Sequence, residues 1–512
     1  MVSTNDHLRG ISYGHYDPRM KPAAPGIPPI LAVDRTSPTP LYRQLYDGYR
    51  AAIVERRLRA GQRLPSTRGL AAELGISRIP VLQAFEQLLA EGYFESRPGA
   101  GTFVAGSLPD EMTRARRTAA PAPAPPPGKR AVGRAPEVLL RREPEPWLRG
   151  WGAFRVSQPA VDRFPFQVWS SLVSRHARNP KGSLLLYGDP RGYRPFREAI
   201  AAYLTTARAV RCDPDQILVV SGSQQALEIS ARVLLDPGRQ VWIEEPGYGG
   251  ARDVLNLAGA RLVPVPVDGE GLDVAAGIAL APQARAAYVT PSHQYPLGAT
   301  LSASRRLQLL DWARRSGAWI LEDDYDSEYR YESLPIAALQ GLDQDSRVIY
   351  IGTFSKVLFP ALRLGYLVVP PDLVASFAAV RETMDIFPST LYQAALADFL
   401  NEGHFGRHLR RMRQLYRERR SALVEALGRE IPELEVHGEQ AGLHLAATLP
   451  KDFSDRRIAE EAARQGLWAM PLSSCYLGEE ARPGLVLGFG GVEAGEIGAG
   501  VARLKGLVRS TR

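Results

Sequence analysis

The lysine at position 356 is the residue whose chemistry stands out. It lies in TFSKVLFPALRLGY (353–366), directly after a predicted apolar strand, close in sequence to Thr353, Ser355 and Arg363. A lysine amine can attack a carbonyl group, while hydroxyls and a guanidinium can bind an anion. A lysine among small hydroxyls is more often an ordinary surface residue. The interpretation therefore depends on motifs elsewhere in the chain.

A second motif, SGSQQALE (221–228), could bind an anion. It ends a predicted strand with a glycine turn and then begins a helix. The backbone N–H groups of Ser223 and Gln224 would point out of the first helical turn, where the helix dipole favours negative charge.

A third motif, LEDDYDSEY (321–329), offers carboxylates at the end of a predicted strand. Because a strand alternates its faces, Asp323 and Tyr325 share one side, and Asp324 shares the other with Glu322. Asp323 and Asp324 are therefore alternatives for a functional carboxylate. The later acidic residues of the run fit a solvated strand end.

Short apolar strands must position these motifs. The segments at 216–222, 239–246, 286–291, 317–325 and 347–354 alternate with longer helical stretches. This alternation predicts a largely parallel sheet covered by helices, which is an α/β domain over about 151–512.

The same region resembles the fold-type I, class I aminotransferases, enzymes that hold pyridoxal 5′-phosphate (PLP) on a lysine. The resemblance extends over most of 151–512, and its motifs recur in order. Besides the three above, they are YGDPRGYRPFREAIAAYL (187–204), EEPGYGG (244–250), TPSHQYPLG (290–298) and EARPGLVLGFGG (480–491). It implies that Lys356 forms the PLP imine, with Ser355 beside it.

The resemblance also implies roles for residues around the lysine. Asp323 would hold the protonated pyridine nitrogen and Tyr325 the phenolic oxygen, a pair that one strand face supplies. The residues implied in contacts with the rest of the cofactor are Ser223, Gln224, Thr353 and Arg363 at the phosphate, Tyr248 on the ring, and Tyr187 at the phosphate of a neighbouring subunit. Tyr187 is thus the argument for a homodimer.

Two implied positions depart from the family pattern or match it loosely. Tyr295 stands where aminotransferases carry the asparagine of Asn-Pro-x-Gly, so His293 or Gln294 would have to replace that contact. His293 is otherwise an ordinary core or loop histidine. Arg482 lies about where the family binds a substrate carboxylate, and is our candidate for binding an effector.

A smaller helical region precedes this domain, from 37 to 105. Ser66 is predicted to cap a helix over 68–74 that Gly75 ends, and Ser77 to cap a second helix. A hairpin over 93–104 follows. Two short helices around a glycine turn indicate a helix-turn-helix, with the hairpin as a wing.

The full string PSTRxLAxxLGISR … AEGYxESRPGxGTFVA resembles the winged helix-turn-helix of the GntR family. It implies contacts with double-stranded DNA in which Arg78 could reach a base edge. The residues implicated are Ser66, Arg68, Ser77, Arg78, Gly101 and Thr102. Ile79 and Pro80 depart from the polar residues usual in the family, so Ile79 either loses base reading or contacts a thymine methyl group.

Length and composition limit the number of domains and the class of protein. The chain has 512 residues and a net charge of +8, with 45% hydrophobic residues, so two or more folded domains are expected. Two cysteines exclude a disulfide framework and a cysteine metal cluster, and we predict no metal site. Without a signal sequence or membrane-spanning run, we expect a cytoplasmic protein that does not bind membranes.

The order of the parts carries the functional prediction. Residues 1–36 read as a flexible arm, and the Pro/Ala/Arg-rich stretch 106–150 as an extended spacer. A GntR-like winged helix joined in this way to an aminotransferase-like domain resembles the MocR subfamily of transcription regulators. It implies a PLP-binding dimer that controls metabolic genes and senses an amine or amino acid through the Lys356 imine. The alternatives are an aminotransferase with an accessory DNA-binding domain and a sensor of PLP itself, so enzymatic turnover stays open.

Overall fold

The structure is a computed structural model that describes residues 33–106, 145–331, 336–478 and 480–511. The described residues divide into two compact units, one on each side of 107–144. Residues 1–32 of the predicted arm and residues 107–144 of the predicted spacer therefore lie outside the described residues.

The first unit is a three-helix arrangement followed by a hairpin. Its elements are α1 (Leu41–Val54), α2 (Thr67–Leu74), α3 (Arg78–Ala90), β1 (Phe94–Arg97) and β2 (Gly101–Val104). The two strands pair antiparallel, with Arg97 opposite Gly101. Tyr49, Phe85 and Phe94 meet edge to face with ring centroids 5.0–5.6 Å apart, and they tie α1, α3 and the hairpin into one core.

The helix ends agree with the sequence in part. The Ser66 hydroxyl accepts a hydrogen bond from the Gly69 amide at 3.1 Å, and Gly75 ends α2 with φ of 61°. Ser77 occupies the N-cap of α3, but its side chain makes no capping hydrogen bond within the described residues. Ser77 is therefore a cap by position only.

The second unit is built on an eight-stranded sheet with the order β3-β10-β9-β8-β7-β4-β5-β6. The strands are β3 (Ile217–Val220), β4 (Gln240–Glu245), β5 (Arg261–Asp268), β6 (Gly271–Leu272), β7 (Ala286–Val289), β8 (Trp319–Asp324), β9 (Val348–Thr353) and β10 (Gly365–Val368). Strands β4, β5, β7, β8 and β9 run parallel, whereas β10 lies antiparallel between β3 and β9.

Helices cover the large sheet, and a smaller antiparallel sheet follows it in the chain. The helices of this unit are α4 (Phe166–Arg178), α5 (Arg194–Arg208), α6 (Ser223–Leu234), α7 (Gly249–Leu257), α8 (Val274–Leu280), α9 (Ala303–Ser316), α10 (Leu339–Leu342), α11 (Val374–Asp385), α12 (Leu391–Asn401), α13 (His404–Glu430), α14 (Asp455–Arg464) and α15 (Ala494–Ser510). The smaller sheet has the order β11-β12-β14-β13, with β11 (Glu435–His437), β12 (His444–Thr448), β13 (Met470–Pro471) and β14 (Gly484–Gly488).

Both faces of the large sheet are buried. In β3, Ile217 and Val219 pack into one apolar cluster, while Leu218 and Val220 pack into another. A parallel sheet covered on both faces explains why the strands read as continuous apolar runs. The carboxyl ends of the parallel strands meet at one edge, which is where an open α/β sheet places its ligand site.

The start of the second unit differs from the prediction. The spacer was predicted to extend to residue 150, yet Pro146–Leu148 forms a short 3₁₀ turn. Trp147 is only 1% exposed and belongs to an apolar cluster with Met470, Leu472 and Val486. Burial of this large aromatic ring fixes the turn to the folded domain.

Among the described residues, no helix is both long and apolar enough to cross a bilayer.

Candidate functional site

A cavity of about 400 Å³ opens at the carboxyl edge of the large sheet. It brings together most of the residues that the sequence singled out. Those that line it are Ser223, Gln224, Tyr248, Asp323, Tyr325, Thr353, Ser355, Lys356 and Arg363. They come from the ends of β3, β4, β8 and β9 and from the loops that follow, so the topology explains why distant motifs converge.

Lys356 follows β9, lines the cavity and is half-buried. The pKa of its amine is lowered to about 8, mainly by burial and also by Arg155 and Arg363, against the opposing effects of Asp326 and Asp323. A substantial fraction of the amine is therefore uncharged, and nucleophilic, near neutral pH.

Asp323 is the carboxylate of β8 that lines the cavity. Its Oδ2 accepts a hydrogen bond from the Tyr288 hydroxyl at 2.9 Å, and its buried Oδ1 has no partner among the described residues. Burial raises the pKa of Asp323 to about 7, against the opposing effects of Tyr288 and Lys356. A cationic N–H placed at Oδ1 would satisfy the free oxygen and restore the carboxylate form.

Asp324 lies on the opposite face of β8. Its Oδ2 accepts hydrogen bonds from Arg208 Nε at 2.8 Å and from the Tyr350 hydroxyl at 2.5 Å. Glu322, on the same face, accepts from the Leu339 and Gln340 amides. Asp323 therefore lies at the cavity, whereas Asp324 forms a buried ion pair with Arg208.

The start of α6 and the turn after Lys356 form a cationic corner. Gly222 precedes α6 with φ of 119°, and a Cβ built on it would lie 3.3 Å from Arg363 Nη1. Arg363 itself has φ of 51°, an uncommon left-handed conformation for a side-chain-bearing residue. Helix N–H groups, a guanidinium and the Thr353 and Ser355 hydroxyls together suit a phosphate.

Tyr248 forms one wall of the cavity. Its hydroxyl accepts a hydrogen bond from Gln224 Nε2 at 2.9 Å, and its ring meets that of Tyr295 at 5.6 Å. A Cβ on Gly250 would come within 2.1 Å of Gln224 Nε2 and 2.5 Å of Tyr248 Cζ, so a side chain there would displace this hydrogen-bonded pair. The result is a flat aromatic surface suited to a planar ring.

The three remaining predicted residues do not line the cavity. His293 is buried, with Nδ1 3.1 Å from Asp326 and 3.0 Å from the Tyr325 hydroxyl, so it can affect the cavity through Tyr325. Tyr187 is 82% exposed beside Phe387. Arg482 is exposed near Tyr476.

Neither proposed replacement for the missing asparagine reaches the cavity. Gln294 donates to Glu244 and to the Pro246 carbonyl, so its amide is used inside the protein. Tyr295 itself lines the cavity. His293, Asp326 and His444 also form a buried group whose possible ligand atoms lie within 4.8 Å of one another, although we predict no metal there.

Tyr288 and Arg155 are among the cavity residues that sequence reasoning missed. Tyr288 lies in β7, directly beside β8, and a hydroxyl in an otherwise apolar strand is a signal that could have identified it. Arg155 lies in an irregular segment before α4, where no periodicity marks it.

In the first unit, the predicted DNA-contacting residues are accessible. Ser66, Arg68, Ser77, Arg78 and Gly101 are exposed and Thr102 is half-buried. Arg78 Nε donates to the Thr67 hydroxyl at 3.1 Å, which joins the start of α3 to α2.

Comparison with known proteins identifies both units. Residues 41–104 match the family "Bacterial regulatory proteins, gntR family", and residues 156–485 match "Aminotransferase class I and II". A kynurenine aminotransferase from Pyrococcus horikoshii, solved in complex with PMP, superposes with a TM-score of 0.65 at 27% identity, covering 75% of this chain and 95% of that one. The fold and the matched families define a transcriptional regulator with an aminotransferase-like domain.

Two transcriptional regulators are similar to this chain over nearly its whole length. The probable rhizopine catabolism regulatory protein MocR of Rhizobium meliloti is 42% identical over 93% of this chain and 95% of its own. The pyridoxine biosynthesis transcriptional regulator PdxR of Corynebacterium glutamicum is 32% identical over 90% of this chain and 94% of its own. The chain belongs to the MocR subfamily of GntR-type transcriptional regulators.

Proposed function

We infer that the large domain holds PLP at Lys356 and uses it to sense a small amine or amino acid, which changes how the protein binds its DNA operator. The observation that carries this proposal is the meeting of Lys356, Asp323 and the cationic corner at Ser223 and Arg363 around one cavity. Each would hold a different part of the same cofactor.

The residues present fit the group. Asp323 Oδ1 is buried and has no partner in the described part of the chain, so it would accept a hydrogen bond from the ring nitrogen. The Ser355 hydroxyl, buried and equally unpartnered, lies with Thr353 and Arg363 where the phosphate would bind. When bound, PLP supplies an aldehyde that condenses reversibly with amines and an electron-poor ring.

The remaining residues would orient the group. Tyr248 would cover one face of the ring, held in place by its hydrogen bond from Gln224. Tyr325 would approach the phenolic oxygen, and its hydroxyl is positioned by the backbone carbonyl of His293 at 2.9 Å. Lys356, with its lowered pKa, supplies the uncharged amine.

The proposed homodimer is supported by an exposed apolar stretch. Leu185, Leu186 and Tyr187 are 70%, 68% and 82% exposed, which is unusual for three consecutive large residues. A partner subunit covering this stretch would bring Tyr187 to the partner's cofactor phosphate. Sedimentation of Tyr187→Ala against wild type tests this, with a weaker dimer and weaker PLP retention expected.

The decisive experiment compares wild type with Lys356→Ala. Wild type should show the visible absorbance of a lysine-bound cofactor, which candidate amines shift, and the variant should not. DNA duplexes selected from a random library by the wild-type protein then report operator affinity with and without the amine. An effector response that persists unchanged in Lys356→Ala would refute sensing through this residue.

Two other functions remain testable with the same protein. The similarity to solved aminotransferases and the complete lysine–aspartate pair favour residual transamination, which steady turnover of an amino donor and a keto acceptor would reveal. The PdxR relative's name favours a sensor of PLP itself. In that case, micromolar PLP without any amine would switch operator affinity.

A further inference from the structure

Arg155 lines the cavity beside the candidate cofactor site, although no sequence motif marks it. Its Nε–H is buried and has no hydrogen-bond partner among the described residues. The positive charge of Arg155 lowers the pKa of Lys356, so the guanidinium and the amine interact electrostatically. An unpartnered N–H of this kind is a donor available to a ligand.

The other two nitrogens of Arg155 hold the turn that begins the second unit. Nη2 donates to the Leu148 carbonyl at 2.8 Å, and Nη1 donates to the Trp147 carbonyl at 3.4 Å. Glu145 and Leu148 of the same turn line the cavity. In the sequence, this turn follows the segment that connects the second unit to the DNA-binding unit.

The charge of Arg155 is poorly compensated. Burial lowers the pKa of its guanidinium, and Tyr295 is the group that acts in the opposite direction. Desolvating a cation without an anionic partner is costly, and a carboxylate supplied by a ligand would offset that cost with charge-assisted hydrogen bonds. Arg482, by contrast, is exposed and lies outside the cavity lining.

We propose that the effector is a carboxylated amine whose carboxylate is bound by Arg155, and that this contact weakens the hold of Arg155 on the turn at 145–149. The proposal rests on the proposed function, because the amine group must meet the cofactor at Lys356. The Arg155 guanidinium would then contact both the ligand in the cavity and the turn at 145–149, which follows the connecting segment in the sequence. A carboxylate that competes for the guanidinium would release the Trp147 and Leu148 carbonyls.

The first test measures charge preference. Full-length PLP-loaded protein is titrated with amines from glycine to 5-aminopentanoate, and with the amide of each, while the cofactor absorbance is followed. In wild type, at least one acid should bind about tenfold or more tightly than its amide, the effect of a charge-assisted pair. Arg155→Gln should reduce that ratio to near one.

Two further variants sharpen this test. Arg149→Gln makes the same change at an exposed arginine of the same turn, and should keep the wild-type ratio. If Arg155→Gln does not fold, Arg155→Lys can replace it. This variant keeps the positive charge but loses the planar guanidinium, so it should retain only part of the preference for the acid over its amide. A ratio near one in wild type, or a ratio lost in Arg482→Gln but kept in Arg155→Gln, would overturn the proposal.

The second test follows the turn by hydrogen exchange. The Leu148 and Arg149 amides donate to Glu145 and Pro146 within it, at 3.0 and 3.1 Å. Their exchange should accelerate when the preferred acid is added and stay unchanged with its amide; equal exchange in both would refute the release of the turn. Amines that shift the absorbance regardless of charge contradict this inference alone, whereas protein that never takes up PLP contradicts the proposed function.

Discussion

The titration of Lys356 gives the most direct test of the cavity's electrostatics. With a pKa of about 8 instead of the ordinary 10.5, roughly a quarter of the amine is uncharged at about pH 7.5, against roughly one part in a thousand for an unperturbed lysine. The fraction able to react with an aldehyde is thus about two hundred times larger. Reactivity should rise with pH and level off above a midpoint near 8.

Neighbouring charges predict the direction in which a substitution should move the pKa of Lys356. Asp323 raises the pKa of Lys356 and Arg155 lowers it, with burial as the largest cause overall. Asp323→Asn should therefore move the midpoint to lower pH and Arg155→Gln to higher pH, each by up to about one unit. The two substitutions are nearly isosteric, so the charge is the main change.

Reductive methylation of the cofactor-free protein measures this without the cofactor. Formaldehyde and cyanoborohydride label uncharged amines, and peptide mass spectrometry reports labelling at Lys356 across pH, normalised to the exposed Lys181. A midpoint near 10.5 would refute the low-dielectric account of the cavity. A shift of both variants in the same direction would refute the assignment of the two charges.

Three further changes test other parts of the chain. Arg208→Met leaves Asp324 buried without its cation and should cost about 3–5 kcal/mol in the unfolding of the second unit by urea; a loss below about 1 kcal/mol would contradict a buried pair. Ser66→Ala removes the cap to the Gly69 amide and should cost about 1 kcal/mol in the unfolding of the first unit, with the second unit as internal control. Ile79, 66% exposed on α3, should contact a thymine methyl group: deoxyuridine in the operator should weaken wild type but not Ile79→Ala, and equal weakening of both would exclude the contact.

The strands were predictable because a strand buried on both faces appears in the sequence as a continuous apolar run. Each of the five segments predicted as strands contains a strand of the sheet, from Ile217–Val220 to Val348–Thr353. The antiparallel strand Gly365–Val368 was not foreseen, because its pairing with β3 and β9 depends on contacts far apart in the chain. The β11–β14 sheet was missed for the same reason.

The candidate site was predictable where a residue's role follows from local geometry. The glycine turn before Ser223 announces a helix N-terminus, and the flanking hydroxyls mark the neighbourhood of Lys356. Arg155 could not be found in this way. It reaches the cavity from an irregular segment, and its significance comes from what it contacts, the carbonyls of Trp147 and Leu148, which no spacing in the sequence encodes.

Asp323 and Asp324 are neighbouring carboxylates of β8, and the strand face on which each lies determines its surroundings. Asp323 and Asp324 are both buried, and each has an Oδ1 without a partner among the described residues, yet Asp323 faces the cavity whereas Asp324 is held by Arg208 and Tyr350 through Oδ2. Asp324 fixes the end of β8 through its ion pair, and that fixed backbone determines where the Asp323 oxygen lies. The negative charge of Asp324 also raises the pKa of Asp323. Exchanging the two roles would need a one-residue shift of β8, which would turn every side chain of that strand to the opposite face.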